Sequence, residues 1–88
     1  MTADDALRAI QALARANRIH ITTHAAERMA ERRITRRDIW YVLTTAGASC
    51  TASTDRPGRW RVVGADADGV ETGVVAVIRD GVVVVTIF

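Results

Sequence analysis

Apolar positions recur along this chain with two different periods, and the change of period falls just past its middle. Leu7, Ile10, Leu13 and Ala14 are spaced three or four apart, the stripe of a helix that buries one side, and they predict a helix over residues 3–17. Thr2 with Asp5 three residues on has the form of a capping box at its start. Asn17 and Arg18 suit its end, Asn in the left-handed conformation and Arg against the dipole. Ile19-His20-Ile21-Thr22 then alternates with period two, which predicts a short strand or extended link with His20 facing away from the two isoleucines. Thr22 or Thr23 caps a second helix running to about Arg33, with Ala25, Met29, Ala26 and Ala30 as its apolar stripe. Thr35 and Asp38 repeat the capping signature and predict a third helix from about Arg36. Its apolar face is Ile39, Val42, Leu43 and Ala46, and Gly47 is its expected stop.

From Ala48 the period is two. Strands are predicted over Ser49 to Asp55, Arg59 to Ala65, Thr72 to Arg79 and Val82 to Phe88. Turns fall at Pro57-Gly58, at Asp66 to Gly69 and at Asp80-Gly81, the strongest hairpin signal in the chain. Asp66-x-Asp68-Gly69 resembles a fragment of a calcium loop but lacks the later ligands, so it reads as a turn. Helices followed by a meander predict an α+β domain, with N-terminal helices packed on one face of a four-stranded antiparallel sheet. A two-residue turn at Asp80-Gly81 pairs Arg79 with Val82, Ile78 with Val83, Val77 with Val84, Ala76 with Val85 and Val75 with Thr86. Ile78, Val83, Ala76, Val85, Val74 and Ile87 then face the helices. Arg79, Val77, Val84, Val75, Thr86 and Phe88 face the other way. With Trp60 and Val62 turned to the helices, Arg59 and Arg61 join Arg79, and the second face of the sheet is basic.

The 88 residues amount to one domain, and 49% hydrophobic content excludes a disordered tail. No apolar run approaches the roughly 20 residues of a membrane span, the N-terminus lacks a signal-peptide pattern, and Cys50 is the only cysteine. A cytoplasmic protein without an intrachain disulfide is expected. The net charge is only +2, yet all twelve basic residues are Arg, and Arg28, Arg32, Arg33, Arg36 and Arg37 crowd into ten positions. The planar guanidinium fork suits phosphate, so an anionic partner is expected. On the second helix His24, Arg28 and Arg32 stand at i, i+4 and i+8, a ridge carrying one titratable imidazole and two fixed cations. Glu27 and Glu31 lie beside it. Arg36 and Arg37 occupy a helix first turn, where the dipole disfavours cations. Trp40 and Tyr41 project to either side of the third helix's stripe, as core edge or interface before base-stacking platforms. A strand-to-helix junction separates His20 from His24, so no metal pair, and no cofactor, is expected.

The run His24-Ala25-x-x-Arg28-Met29-x-x-Arg32, then Ile34-Thr35-x-x-Asp38-Ile39, then strands ending Val85-Thr86-Ile87-Phe88, resembles a family of short bacterial domains within the RelE/ParE-like toxin superfamily, related to BrnT and MqsR. The resemblance covers about residues 19–88. It implies a compact α+β toxin of a type II toxin–antitoxin system, often a metal-independent mRNA endoribonuclease, neutralised by a cognate antitoxin protein. RNA cleavage without metal needs a base, an acid and cations around the phosphorane. The candidates are His24, Arg28 and Arg32 as catalytic residues, with Arg59, Arg61, Arg79 and Thr86 binding RNA, free or on the ribosome. The alternative is a non-catalytic protein of the same fold that binds a gyrase-type target or an antitoxin through its basic groove.

Overall fold

The computed structural model describes all residues from Met1 to Phe88. Three helices, α1 (Ala3–Arg15), α2 (Thr23–Arg32) and α3 (Arg36–Thr44), and five strands, β1 (Ile19–Ile21), β2 (Ser49–Ala52), β3 (Arg59–Ala65), β4 (Glu71–Arg79) and β5 (Gly81–Ile87), make an α+β domain. The caps are those the sequence signals. Thr2 accepts from the Asp5 amide at 3.1 Å, Thr22 from Ala25 at 3.1 Å and Thr35 from Asp38 at 3.1 Å. Asn17 takes the left-handed conformation, φ 59°, after α1. Gly47 does not stop α3, which ends at Thr44 with Thr45 as its cap. Thr45 closes that end itself, its hydroxyl reaching the Tyr41 and Ala65 carbonyls.

The sheet has five strands rather than four and is mixed, in the order β1-β5-β4-β3-β2. The four C-terminal strands form the expected antiparallel meander. The fifth is Ile19–Ile21, which adds parallel to β5 with Ile19 beside Val82, His20 beside Val83 and Ile21 beside Val84. A parallel neighbour far away in sequence leaves no turn signal, which is why alternation alone left this segment between a strand and a link.

That added strand also corrects the hairpin. The reversal tightens around Asp80, so Arg79 pairs with Gly81, Ile78 with Val82, Val77 with Val83 and Ala76 with Val84. A bulge between Val75 and Ala76 then absorbs one residue of β5, and Val75 meets Thr86 as expected. Val84, not Val85, is therefore buried, while Val83 and Val85 are half-buried. The slip has a cause in β1: the Val82 amide donates to the Arg18 carbonyl at 2.9 Å and the Thr22 amide to the Val84 carbonyl at 3.1 Å. These bonds set β5 against β1, and the hairpin follows.

Ile10 and Ala14 of α1, Ile39, Val42 and Leu43 of α3, and Val62, Val74, Ala76, Val82, Val84 and Ile87 of the sheet form the core. Ala25 and Met29 anchor α2 to it alongside β5. Trp60 packs against its margin, as the sequence suggests. At Gly64 the backbone of β3 passes so close to α3 that a side chain would start 2.4 Å from the Val42 carbonyl oxygen.

One charged group is built into this frame. Asp38 is only 8% exposed; it accepts from the Thr35 amide at 2.9 Å, the Thr35 hydroxyl at 3.0 Å and the Ala67 amide at 3.1 Å. It thereby ties the start of α3 to the β3–β4 turn. The Thr35 amide above all holds its carboxyl below the usual carboxylate range, against the opposing effect of burial.

Two stability predictions follow from these contacts. Asp38→Ala leaves partly buried donors unpaired and should cost about 1–3 kcal/mol in urea unfolding near neutral pH. A lowered folded pKa gives stability that is complete above the ordinary value near about pH 4 and is lost as pH falls through the folded value. The gap between variant and wild type should therefore shrink in acid. Gly64→Ala should cost about 1–3 kcal/mol by forcing β3 off α3. Gly47→Ala, which meets open space, should change stability by no more than about 0.5 kcal/mol.

Candidate nucleic-acid interface

Strand alternation fixes what the second face of the sheet presents. Since Val62, Val74, Ala76, Val82 and Val84 are buried beneath α1 and α3, their neighbours point the other way. Two rows cross that face. One runs His20–Val83–Val77–Arg59 over four strands, the other Arg61–Val75–Thr86 over three. At about 4.8 Å per strand the ends of the longer row lie roughly 14 Å apart. Arg79 sits two residues beyond Val77, opposite Gly81. The result is a floor of half-buried valines bordered by cations.

A cleft of about 570 Å³ lies on this face, with Val77, Val83 and Val85 at its base and Arg56, Arg59 and Arg79 among its lining residues. Thr22 closes one side, its hydroxyl donating to the Val85 carbonyl at 3.1 Å. Arg61 stands outside the cleft with its guanidinium 4.1 Å from the centre of the Phe88 ring, a cation–π contact. That ring rests on Gly73, where any side chain would collide with it at 2.4 Å.

His20 belongs to the same surface. Its ring lies over Gly81, close enough that a side chain there would start 3.1 Å from both Cδ2 and Nε2. Gly81 is also the strand partner of Arg79, so His20 and Arg79 flank the same glycine on one face of the sheet. The sequence reading turned His20 away from Ile19 and Ile21 correctly. Only the pairing of β1 with β5 shows what it faces. Arg56 was likewise invisible, because a residue preceding a Pro-Gly turn carries no periodic signal.

None of these four arginines is ion-paired. The one ion pair of the molecule is Arg28–Glu31, at 3.6 Å on α2, so Arg56, Arg59, Arg61 and Arg79 have no carboxylate within ion-pair distance. Asp55, the acidic neighbour of Arg56, takes a hydrogen bond from the Ser53 hydroxyl that holds its carboxyl below the usual range.

The seven residues singled out from sequence thus divide between surfaces. Arg59, Arg61, Arg79 and Thr86 come together on the sheet as expected. His24 and Arg32 are exposed on α2 and Arg28 is half-buried there; none of the three lines the cleft, whose nearest element is the α2 cap Thr22. Arg28 leans on Glu31, with its Nε enclosed and without an acceptor. Trp40 and Tyr41 lie on neither surface. Cys50 is half-buried across from Val62, and burial pushes its thiol up.

One group of carboxylates, Asp38, Asp66 and Asp68, brings its oxygens within 4.8 Å of one another. Asp38 is occupied by Thr35 and Ala67, and Asp66 accepts from the Asp68 amide at 2.9 Å and the Val70 amide at 2.8 Å. This is turn chemistry, as the sequence suggested.

No curated protein and no solved structure matches this chain. A family model described as a domain of unknown function, DUF4258, matches residues 21–88. That span takes in α2, α3, the whole meander and the cleft, and leaves outside it residues 1–20, which hold α1 and the first two residues of β1, His20 among them. The chain is a member of the DUF4258 family.

Proposed function

We propose that the chain is the toxin of a bacterial type II toxin–antitoxin pair and a metal-independent mRNA endoribonuclease whose RNA surface is the basic sheet face. The observation that carries this reading is the set of four arginines without carboxylate partners that share one sheet face with an imidazole, three of them lining a cleft with a valine floor. Fixed cations spaced along a sheet suit the repeating charge of a single strand. The apolar floor suits base faces better than it suits water. The resemblance to RelE/ParE-like domains in the α2–α3 motif supports the same reading.

In this proposal His20 is the proton-transfer group. Imidazole is the side chain suited to exchanging protons near neutral pH. It takes the proton of a ribose 2′-hydroxyl as that oxygen attacks the adjacent phosphorus. The 5′-oxygen leaves and takes a proton from solvent water, and the imidazolium of His20 returns its proton to solvent, which gives a 2′,3′-cyclic phosphate and a 5′-hydroxyl. Arg79, across Gly81, neutralises the charge that builds on the phosphorane. Arg59, Arg56 and Arg61 hold the strand on either side, and Thr86 offers a hydroxyl on the Arg61 row. His24, with Arg28 and Arg32, is the competing acid/base assignment, since α2 starts at the rim of the cleft.

Paired substitutions decide between the imidazoles. His20→Gln should lower RNA cleavage by about 10²- to 10⁴-fold, because an amide hydrogen-bonds but does not exchange a proton at neutral pH. His24→Gln should cleave within a few-fold of wild type. The opposite outcome, with circular dichroism showing both folded, moves the chemistry to the α2 ridge. RNA binding without cleavage by any protein, wild type included, leaves a non-catalytic interaction protein.

Binding gives a second check. Arg59→Ala and Arg79→Ala should each weaken single-stranded RNA binding and reduce the slope of log K against log salt by roughly 0.7. Arg8→Ala, an exposed charge on α1, should leave that slope unchanged. Equal effects from all three would remove the case for a localised RNA surface.

A further inference from the structure

A second cationic site lies on the other side of β1. Ile19 faces the core beside Val82, and His20 lies on the opposite face of the sheet, beside Val83. A separate cleft of about 410 Å³ opens next to Ile19, between the end of α1 and the start of α3. It is lined by Asn17, Ile19, Arg36, Arg37, Trp40 and Tyr41. Arg36 is fixed there, its Nη2 donating to the Ile19 carbonyl at 2.8 Å. The Arg37 guanidinium stands 5.6 Å from the centre of the Tyr41 ring. Trp40 meets Tyr41 edge to face, with centroids 5.2 Å apart and planes at 87°.

Stability accounts for only part of this arrangement, through the bond that ties Arg36 to the Ile19 carbonyl. Arg36 and Arg37 are the first two residues of α3, where cations oppose the helix dipole. Neither has a carboxylate within ion-pair distance, and Asp38, the nearest acid in sequence, is committed to Thr35 and Ala67. Two cations without an ion-pair partner, Arg37 within electrostatic reach of Asp38, and the positive end of a helix therefore border a cleft with an aromatic wall.

We infer that this cleft binds an acidic peptide segment of a protein partner, which places carboxylates against Arg36 and Arg37 and one apolar side chain against Trp40 and Tyr41. Charge complementarity sets the sign of the partner. The rings decide against a nucleotide: they stand perpendicular, so they cannot sandwich a base, and Arg37 already covers a face of Tyr41. Trp40 is half-buried with part of its surface packed on the core, which leaves a wall for an aliphatic or aromatic side chain rather than a stacking platform. The inference is independent of the RNA reading, since the two surfaces lie on opposite faces of β1.

The test is selection from a random peptide library displayed on phage against the folded protein at low salt, followed by fluorescence anisotropy with the selected peptides. Enrichment of Asp and Glu around one Leu, Ile or aromatic residue is expected. Arg37→Glu should weaken those peptides at least tenfold, while Arg59→Ala leaves them unchanged. Arg37→Glu suits the dipole but removes the attraction between Arg37 and Asp38, so circular dichroism and a melting curve of the variant are measured, and a folded variant shows that lost binding does not reflect lost folding. Peptides without acidic residues, or binding indifferent to Arg37→Glu, or binding abolished by Arg59→Ala, would overturn the inference. So would AMP displacing the peptides, which would make the cleft a nucleotide site.

Discussion

The pairing of three residues, Ile19 to Ile21, with the last strand is the constraint on which the rest of this molecule turns. It joins a segment near the start of the chain to one at its end through the Val82 and Thr22 amides. It sets β5 one residue away from the register a two-residue hairpin would choose, and the bulge at Val75–Ala76 returns the pairing to step. It buries Ile19 against Val82 and, because strand side chains alternate, turns His20 onto the opposite face. It also presents the Ile19 carbonyl that anchors Arg36. Both candidate binding surfaces are edged by the same short strand.

The distribution of charge follows a simple rule in this fold. Three of the ten acidic groups are taken up by backbone amides. Asp5 and Asp38 close capping boxes, and Asp66 satisfies two amides of its own turn. Arginines, with one ion pair among twelve, are left to interact with carbonyls, aromatic rings and solvent. A net charge of only +2 therefore understates how basic the functional surfaces are. Carboxylates bonded to amides do little to neutralise guanidinium groups on another face, since exposed charges beyond about 8 Å are screened at physiological salt.

The glycines of the sheet are positioned for close approach. Gly64 admits the Val42 carbonyl, Gly73 admits the Phe88 ring, and Gly81 admits the Arg18 carbonyl and the His20 ring. At Gly73 and Gly81 the absent side chain is what allows a functional group to lie on the sheet face: the ring that Arg61 covers in one case, the imidazole in the other.

Sequence alone determined the parts of this protein that depend on neighbours in the chain. The three helices, their threonine caps, the left-handed Asn17 and the C-terminal meander rest on spacings of two to four residues, and those spacings are visible in the letters. The division of β3 and β4 into an apolar and a basic face was equally legible, because alternation along a strand needs only a choice of which face is buried. Arg59, Arg61, Arg79 and Thr86 were found that way. What only the tertiary structure decided are relations between distant segments: the parallel seat of β1, the one-residue slip and bulge of β5, the burial of Val82 and Val84 in place of Val83 and Val85. His20 facing Gly81 and Arg79 belongs to the same class. A ridge on one helix, His24 to Arg32, could be read from a period of four, and so it stood out. His20 and Arg79, set on either side of Gly81 by strands some sixty residues apart in sequence, leave no period at all, because hydrogen bonding between strands, not spacing along the chain, put them on one face.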